Sequence, residues 1–149
     1  TTTAWRQRNY PAKESHVEDG YGPAPQTDYG CLTILGKEEV GGLEVDDKAT
    51  RHWIQASSVP GAFVVNIGDA LARWTNSRFV STPHRVASMT VERERYSIPF
   101  FFHLDVDANI EVLSICCGPE NPPRYPPIRF GDYLAERLAA NYVVARDNG

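Results

Sequence analysis

Short runs of β-forming residues separated by turn residues are the feature that most restricts how this chain can fold. Glycine and proline, 11 of each, fall between short apolar runs rich in Val, Ile, Phe, Tyr and Thr. This spacing is typical of antiparallel β-domains, because β-branched and aromatic residues favour strands while Gly and Pro favour turns. Asn76 and Ser77, between Trp74 and Phe79, predict a hairpin tip. The expected strands are residues 4–10, 31–35, 42–45, 53–54, 62–67, 80–86, 96–102 and 111–114.

The end of the chain has a different pattern. After a proline-rich stretch that predicts an ordered surface loop, Phe130, Leu134, Leu138 and Tyr142 recur every four residues. That period predicts one amphipathic helix, and Asp132 is its candidate N-cap. Many short strands followed by a packing helix predict an all-β domain with a flanking helix, with a jelly-roll or a sandwich as its core.

Size and charge restrict the classes of function. At 149 residues and 42% apolar content, the chain is long enough for one domain with its own core, which we expect to cover residues 1–149 with a loop and helix from about residue 116. A net charge of −4 without a basic stripe argues against nucleic acid, and no apolar run is long enough for a membrane span. Three cysteines, an odd number, indicate a reducing, cytoplasmic setting. The expected partner is a small molecule, and the oligomeric state is left open.

Two polar residues precede the second expected strand. Gln26 and Asp28 are two positions apart, so in an extended chain they point to the same face, about 6.5–7 Å apart. His84 lies in a later β-prone segment, between Pro83 and Arg85. One imidazole and one carboxylate from different strands make up most of a facial metal triad with positions open for ferrous oxygen chemistry. A hydrogen-bonded structural histidine is the alternative interpretation.

A second polar pair lies on the expected strand at 96–102 and just before it. Strand alternation puts Arg95, Ser97, Pro99 and Phe101 on one face. An arginine that points into a barrel is costly unless an anion meets it, and its planar fork suits the distal carboxylate of a dicarboxylate. A salt bridge to an internal Asp or Glu is the alternative.

Taken in order, these motifs resemble the iron(II)- and 2-oxoglutarate-dependent oxygenases, in the branch that includes isopenicillin N synthase and plant flavonoid and gibberellin oxidases. That family has His-x-Asp, a second His on a later strand, and then Arg-x-Ser; here the three segments read QTD, PHR and RYS. Further matching blocks are RNYP, DYGCLTIL, VGGLEV, VPGAFVVNIGDALARWTNSRFVSTPHRV and NPPRYPPIRFGDYLAERL. The resemblance implies a double-stranded β-helix, the jelly-roll core, with the helix packed outside it.

The resemblance also implies an activity and a cosubstrate site. Arg95 and Ser97 match the pair that binds the distal carboxylate of 2-oxoglutarate, and Tyr10 matches a tyrosine that helps to hold this cosubstrate. Phe101 falls where relatives line the substrate pocket, although plain barrel core is an equal interpretation. The implied reaction is oxidation of a small organic substrate with release of succinate and CO2, with ascorbate as an optional reductant. Oxidase relatives that use iron without 2-oxoglutarate are an alternative. The resemblance also implies that the helical N-terminal region usual in this branch is absent here, which leaves independent stability and substrate selection open.

The metal ligands carried over from the family are Asp28 and His84, with Gln26 where relatives have the first histidine. A carboxamide oxygen is a weaker donor to ferrous iron than an imidazole, so we expect weaker iron binding. Three interpretations stay open: Gln26 is a weak or spectator ligand in a working dioxygenase, the domain is a catalytically silent small-molecule or metal-binding module, or the residue is an engineered or sequence-level substitution.

Overall fold

The computed structural model describes residues 3–10, 24–37, 42–57, 59–87 and 95–147. The strands in these ranges are β1 (Thr3–Trp5), β2 (Arg8–Tyr10), β3 (Leu32–Lys37), β4 (Leu43–Asp47), β5 (His52–Gln55), β6 (Val64–Ile67), β7 (His84–Val86), β8 (Arg95–Phe102), β9 (Asn109–Ile110) and β10 (Ile128–Arg129). The α-helices are α1 (Asp69–Trp74) and α2 (Phe130–Asp147). No helix in the described ranges is long and apolar enough to cross a membrane.

The strands form two main sheets. The larger sheet has the order β1-β8-β3-β6, with β2 also paired to β8, and the smaller one has the order β5-β4-β7. The short strands β9 and β10 pair separately. Every one of these pairings is antiparallel. Side chains from both main sheets line one pocket, which therefore lies between them.

Alternation along the strands separates the pocket face from the opposite face of the larger sheet. Ser97, Pro99 and Phe101 of β8 line the pocket, whereas Ile98 and Phe102 are exposed. Residues paired across a sheet point to the same side, and one such row runs through Trp5, Phe100, Ile34 and Val65. Trp5 is 72% exposed and Val65 57%. Apolar side chains therefore lie on both faces of this sheet, which explains why much of its strand sequence is hydrophobic without a strict alternation.

The buried core lies beside the helices, outside the pocket. It consists of Cys31, Ala70, Ile110, Phe130 and Tyr133, with partly buried side chains from β3, α1 and α2 packed around it. Phe130 and Ile110 are its largest fully buried side chains. Because α2 begins at Phe130, its first turn packs directly into this core.

The predicted C-terminal helix is confirmed, but the proposed cap is wrong. The helix begins at Phe130, so Asp132 lies in its first turn. The amide groups of Phe130 and Gly131 donate to the carbonyls of Ala108 and Val106, at 2.9 Å each. These carbonyls accept hydrogen bonds from amides at the start of the helix, where a capping side chain would otherwise be the acceptor.

The predicted hairpin at Asn76-Ser77 is also wrong. The residues before it form α1, and both turn residues have positive φ, 52° and 64°, at the end of that helix. The amide of Ser77 closes the helix by donating to the carbonyl of Ala72 at 2.8 Å. Asn76 is buried, and its side chain donates to the Pro122 carbonyl and accepts from the Arg124 amide. A residue that tolerates left-handed backbone suits both a hairpin turn and the end of a helix. Here the hydrogen bonds of Asn76 to the proline-rich loop favour the end of a helix.

Three further strand predictions fail in part. The expected strand 4–10 is divided into β1 and β2, with residues 6 and 7 outside both. Residues 80–83 belong to no strand, so the strand begins only at His84. Residues 111–114 form no strand; the pairing is at Asn109–Ile110 instead, and Ser114–Cys116 form a 3-10 turn. β-forming residues make a strand only where a partner edge is available, and sequence pattern does not report that edge.

Gly68 allows α1 to approach the segment that follows Asp28. A Cβ added at Gly68 would lie 2.2 Å from the Gly30 carbonyl oxygen and 2.9 Å from that of Asp28. Both neighbours are backbone atoms, so no side-chain rotation relieves the overlap. The close approach is what allows the amides of Gly68 and Asp69 to donate to the carbonyls of Cys31 and Asp28.

We predict that Gly68→Ala lowers the free energy of unfolding by about 1–3 kcal/mol, the usual cost of overpacking. Gly118→Ala is the matched control, because a Cβ there meets nothing within 4 Å. Urea denaturation of the two variants gives the comparison. Equal stability of the two would contradict the close-approach explanation.

Candidate metal and cosubstrate site

Two backbone hydrogen bonds bring the QTD segment to β7. The amide of Gln26 donates to the carbonyl of His84, and the amide of His84 donates to the carbonyl of Gln26, at 2.9 Å each. On its other side, His84 pairs with Val45 of β4. His84 is therefore held between two chain segments, and Asp28 lies two residues from the bridge.

Asp28 and His84 meet at the pocket wall. The Oδ1 atom of Asp28 lies 3.8 Å from Nε2 of His84, with the side chains 11% and 16% exposed. The Nδ1 atom of His84 lies 3.3 Å from the carbonyl oxygen of Thr82. Because a carbonyl only accepts, Nδ1 is the donor in this contact, and the neutral tautomer that donates from Nδ1 has its lone pair on Nε2. The imidazole therefore presents a ligand atom toward the carboxylate.

The second oxygen of Asp28 is held by two donors. Thr33 Oγ1 donates to Oδ2 at 2.6 Å, and Asn66 Nδ2 donates to the same atom at 2.7 Å. Both donors come from neighbouring strands, β3 and β6, which pair through Thr33 and Asn66 themselves. The carboxylate is thus oriented through Oδ2, and Oδ1 faces His84.

The pocket has a cavity volume of about 120 Å³. Its polar side chains include Gln26, Asp28, Asn66, His84 and Ser97. The apolar lining is Ala24, Leu35, Leu43, Val45, Val64, Val86, Pro99 and Phe101. A few convergent polar groups in an otherwise apolar cavity are typical of small-molecule sites.

The predicted cosubstrate residues lie on β2 and β8. Tyr10 is the direct partner of Arg95 in the antiparallel ladder, and Arg8 is the partner of Ser97. Partners in such a ladder have Cα atoms about 4.5–5.5 Å apart. Ser97 lines the pocket. The fold therefore brings the backbone positions of Tyr10, Arg95 and Ser97 together beside the pocket wall, and Phe101 lines the pocket four residues beyond Ser97.

The donor set fits a metal ion with two strong protein ligands. Metal bonds to nitrogen and oxygen of about 2.0–2.2 Å each sum to slightly more than the distance between Asp28 Oδ1 and His84 Nε2. In the described part of the chain, no group of three or more His, Cys, Asp or Glu side chains is arranged to hold a metal. Gln26 lines the same pocket as Asp28 and His84, and the carboxamide oxygen is the metal-binding atom of its side chain.

His103 is a titratable group close to this site that the motifs do not assign. Its ring packs near Phe101 and Phe130, with centroids 6.2 and 5.7 Å away. Burial lowers the pKa of His103, and the negative charge of Asp28 opposes part of that shift. His103 is therefore held as a neutral imidazole.

Sequence reasoning missed the residues that orient Asp28. Thr33 and Asn66 each interrupt an apolar strand at a position whose neighbours two residues away line the pocket. A polar residue at a core-facing position needs a partner, and that need was the available signal. The partner itself could not be named before the strands were paired.

Residues 3–104 match the family model of the 2OG-Fe(II) oxygenase superfamily, and the chain belongs to that superfamily. It is 38% identical over 139 residues to the 2-oxoglutarate-Fe(II) type oxidoreductase hxnY of Emericella nidulans, a match that covers 92% of this chain and 40% of that protein. It is 33% identical over 134 residues to a homoarginine-6-hydroxylase of Oryza sativa subsp. japonica, which covers 89% of this chain and 40% of that one.

Solved structures give the same result. A full-length Neurospora crassa protein crystallised in complex with alpha-KG superposes with a TM-score of 0.85 at 36% identity, over 94% of this chain and 45% of that one. The rice dioxygenase for auxin oxidation superposes with a TM-score of 0.81 at 32% identity, over 93% of this chain and 47% of that one. The chain therefore spans less than half the length of each of these relatives.

These comparisons confirm the predicted family and its jelly-roll fold. The superfamily is named for Fe(II) and 2-oxoglutarate, the cofactor and cosubstrate that the resemblance implied. The placement in the isopenicillin N synthase branch stays a prediction.

Removing a donor to Asp28 Oδ2 is expected to weaken metal binding. We predict that Thr33→Val or Asn66→Leu lowers affinity for Mn(II) by about 10–100-fold, since groups that orient a ligand usually contribute that much. Calorimetric titration measures the affinity. Thr50→Val is the matched control, because its hydroxyl donates to Asp47 at 2.7 Å, away from the pocket. A Thr33 variant that binds Mn(II) as tightly as the Thr50 variant would contradict this role.

The lowered pKa of His103 makes stability depend on pH. Because the folded protein holds a proton at His103 less tightly than the unfolded chain does, its contribution is complete above the unfolded pKa of about 6.5. It is lost progressively as the pH falls below that value. We predict that His103→Gln flattens the decline in unfolding free energy as the pH falls below about 6.5. Urea denaturation across this range measures the slopes; parallel slopes for the wild type and the His103 variant would refute the prediction.

Proposed function

We propose that this chain is the catalytic domain of an Fe(II)- and 2-oxoglutarate-dependent dioxygenase that oxidises a small organic substrate and releases succinate and CO2. The observation that carries this proposal is the pair Asp28 Oδ1 and His84 Nε2, 3.8 Å apart at the wall of a pocket that Ser97 also lines. The superfamily membership supports the same chemistry.

The proposed iron ligands are Asp28 and His84, with the Gln26 carboxamide oxygen as a weak third donor. Bound Fe(II) would supply the redox chemistry that activates dioxygen, in positions that the protein leaves open. The contribution of this chain is orientation: Thr82 selects the tautomer of His84, and Thr33 holds the Asp28 carboxylate from the side away from the imidazole. The single negative charge of Asp28 offsets half of the charge of the cation.

The proposed cosubstrate residues are Arg95, Ser97 and Tyr10. A guanidinium and a hydroxyl on one strand suit a distal carboxylate, because a charge-assisted pair and a further donor fix its direction. The ladder partnership of Tyr10 with Arg95 supports a joint role. Binding the far end of 2-oxoglutarate in this way would direct its keto-acid end toward Asp28 and His84.

The proposed substrate is a small organic molecule with an apolar surface. The largely aliphatic lining supports this, and Phe101 offers a ring against which such a molecule can pack. The solved relatives include a Neurospora crassa protein in complex with alpha-KG and thymine and a structure in complex with 2OG, Fe and JA. Their bound molecules support a small partner for this chain as well.

We predict that the chain forms succinate from 2-oxoglutarate when Fe(II) is supplied, and that Asp28→Ala and His84→Ala abolish this turnover. Gln26→His should raise Fe(II) affinity by at least about 10-fold, because imidazole is a better donor than a carboxamide. Ser97→Ala should raise KM for 2-oxoglutarate more than it lowers kcat. Succinate release and metal titration provide the measurements.

Gln55→His is the matched control, because Gln55 is exposed on β5 and does not line the pocket. Turnover that appears only in the Gln26→His variant would contradict the proposal that the chain with Gln26 is an active enzyme. It would favour a catalytically silent binding domain on the same scaffold. If the chain binds the metal but 2-oxoglutarate is not consumed, the result would favour iron chemistry that does not use this cosubstrate.

A further inference from the structure

Asp69, the first residue of α1, contacts the metal-ligand segment in two ways. Its Oδ2 atom accepts a hydrogen bond from Thr27 Oγ1 at 3.0 Å. Its backbone amide donates to the carbonyl of Asp28 at 2.7 Å. One residue therefore holds both the side chain before the proposed iron ligand and the backbone of that ligand.

Helix α2 contacts the same carboxylate oxygen. The hydroxyl of Tyr133 donates to Asp69 Oδ2 at 3.0 Å, and Arg137 Nη2 lies 3.6 Å from that oxygen. The Arg137 guanidinium also lies 5.1 Å from the centre of the Tyr29 ring. The residues on both sides of Asp28 are thus connected to α2, Thr27 through Asp69 and Tyr29 through Arg137.

Because Asp69 and Tyr133 are largely buried, the hydrogen bond between them is stronger than it would be in water. The Asp69 side chain is 14% exposed, and Tyr133 belongs to the buried core. Burial, together with the charge of Asp69, raises the pKa of Tyr133 well above its usual range, so the hydroxyl remains a donor at neutral pH. A carboxylate that accepts from two hydroxyls in such surroundings has a strongly preferred position.

Strand geometry explains what this connection does for the site. In an extended segment, Thr27 points to the face opposite to that of Gln26 and Asp28. A tether on Thr27 therefore limits rotation of the segment from behind, while its neighbours line the pocket. Without it, the orientation of Asp28 would depend on the two donors to Oδ2, the bridge to His84 and the Asp69 amide at the Asp28 carbonyl.

We infer that Asp69 is a positioning residue for the metal site, and that it couples α2 to the orientation of Asp28 through Thr27. This inference rests on the proposed function, because it takes Asp28 as an iron ligand. Asp69 itself lies behind the segment and is not among the described residues that line the pocket. Its predicted effect is on metal affinity, beyond any effect on overall stability.

The test compares Thr27→Val with Thr27→Ser in the full chain. Valine keeps the shape and removes the hydroxyl, whereas serine keeps the hydroxyl. We expect Thr27→Val to weaken Mn(II) binding by about 10-fold and Thr27→Ser to retain it, in line with other groups that orient metal ligands. Amide hydrogen exchange of the metal-free protein gives a second readout: the Asp69 amide should exchange faster in Thr27→Val alone.

A second pair of variants separates positioning from stability. Tyr133→Phe removes a hydroxyl that donates to Asp69, and Tyr125→Phe removes one that shares a 2.6 Å hydrogen bond with Ser77, away from the metal segment. Both should lower stability, measured by urea denaturation. Only Tyr133→Phe should also lower Mn(II) affinity and shift the visible spectrum of bound Co(II).

The outcomes are distinguishable. Equal Mn(II) affinity and equal amide exchange in Thr27→Val and Thr27→Ser would overturn the positioning role while leaving the proposed function intact. If neither the wild-type chain nor Gln26→His binds Mn(II) or Co(II), the metal site of the proposed function fails, and the inference fails with it.

Discussion

The paired backbone hydrogen bonds between Gln26 and His84 are the constraint on which the candidate site depends. They join two segments far apart in sequence and place Asp28 within 3.8 Å of the imidazole. The neighbouring strands support the two residues that this contact brings together. Strand β4 pairs with His84 on its other edge, and β3 and β6 orient Asp28 through Thr33 and Asn66. A small error in this pairing would move both candidate ligands, because side chains in a strand follow the backbone register.

Residues 26–28 are supported from two sides by different kinds of contact. On the pocket side, polar side chains from the larger sheet hold one oxygen of Asp28. On the outer side, α1 and α2 pack into the buried core around Phe130 and hold the residues beside Asp28. Gly68 makes the second contact possible, since only a residue without a Cβ fits against the Gly30 carbonyl. The core of this chain is therefore also part of the support for its site.

Some strands, helices and site residues could be predicted from the sequence and others could not, for physical reasons. Strand β8 and helix α2 follow from strong local patterns, an aromatic β-forming run and a four-residue apolar period. Helix α1 was missed because Asp69–Trp74 is a short segment beside a strong strand and ends at residues suited equally to a hairpin. The site motifs were found by their order along the chain, whereas Thr33, Asn66 and Asp69 were not, because hydroxyl, amide and carboxylate groups reveal their partners only after folding.

The sequence by itself determined the class of protein, a β-rich domain of the 2OG-Fe(II) oxygenase superfamily, and the identity of the candidate groups: Asp28 and His84, with Gln26 where the family resemblance predicts a histidine. These are properties of residue type and spacing, which survive without coordinates. Tertiary structure alone decided which Asp28 oxygen accepts from Thr33 and Asn66, which His84 nitrogen faces the Thr82 carbonyl, and that α2 contacts Asp69 through Tyr133. Such features arise from contacts between distant segments, and no local pattern encodes them.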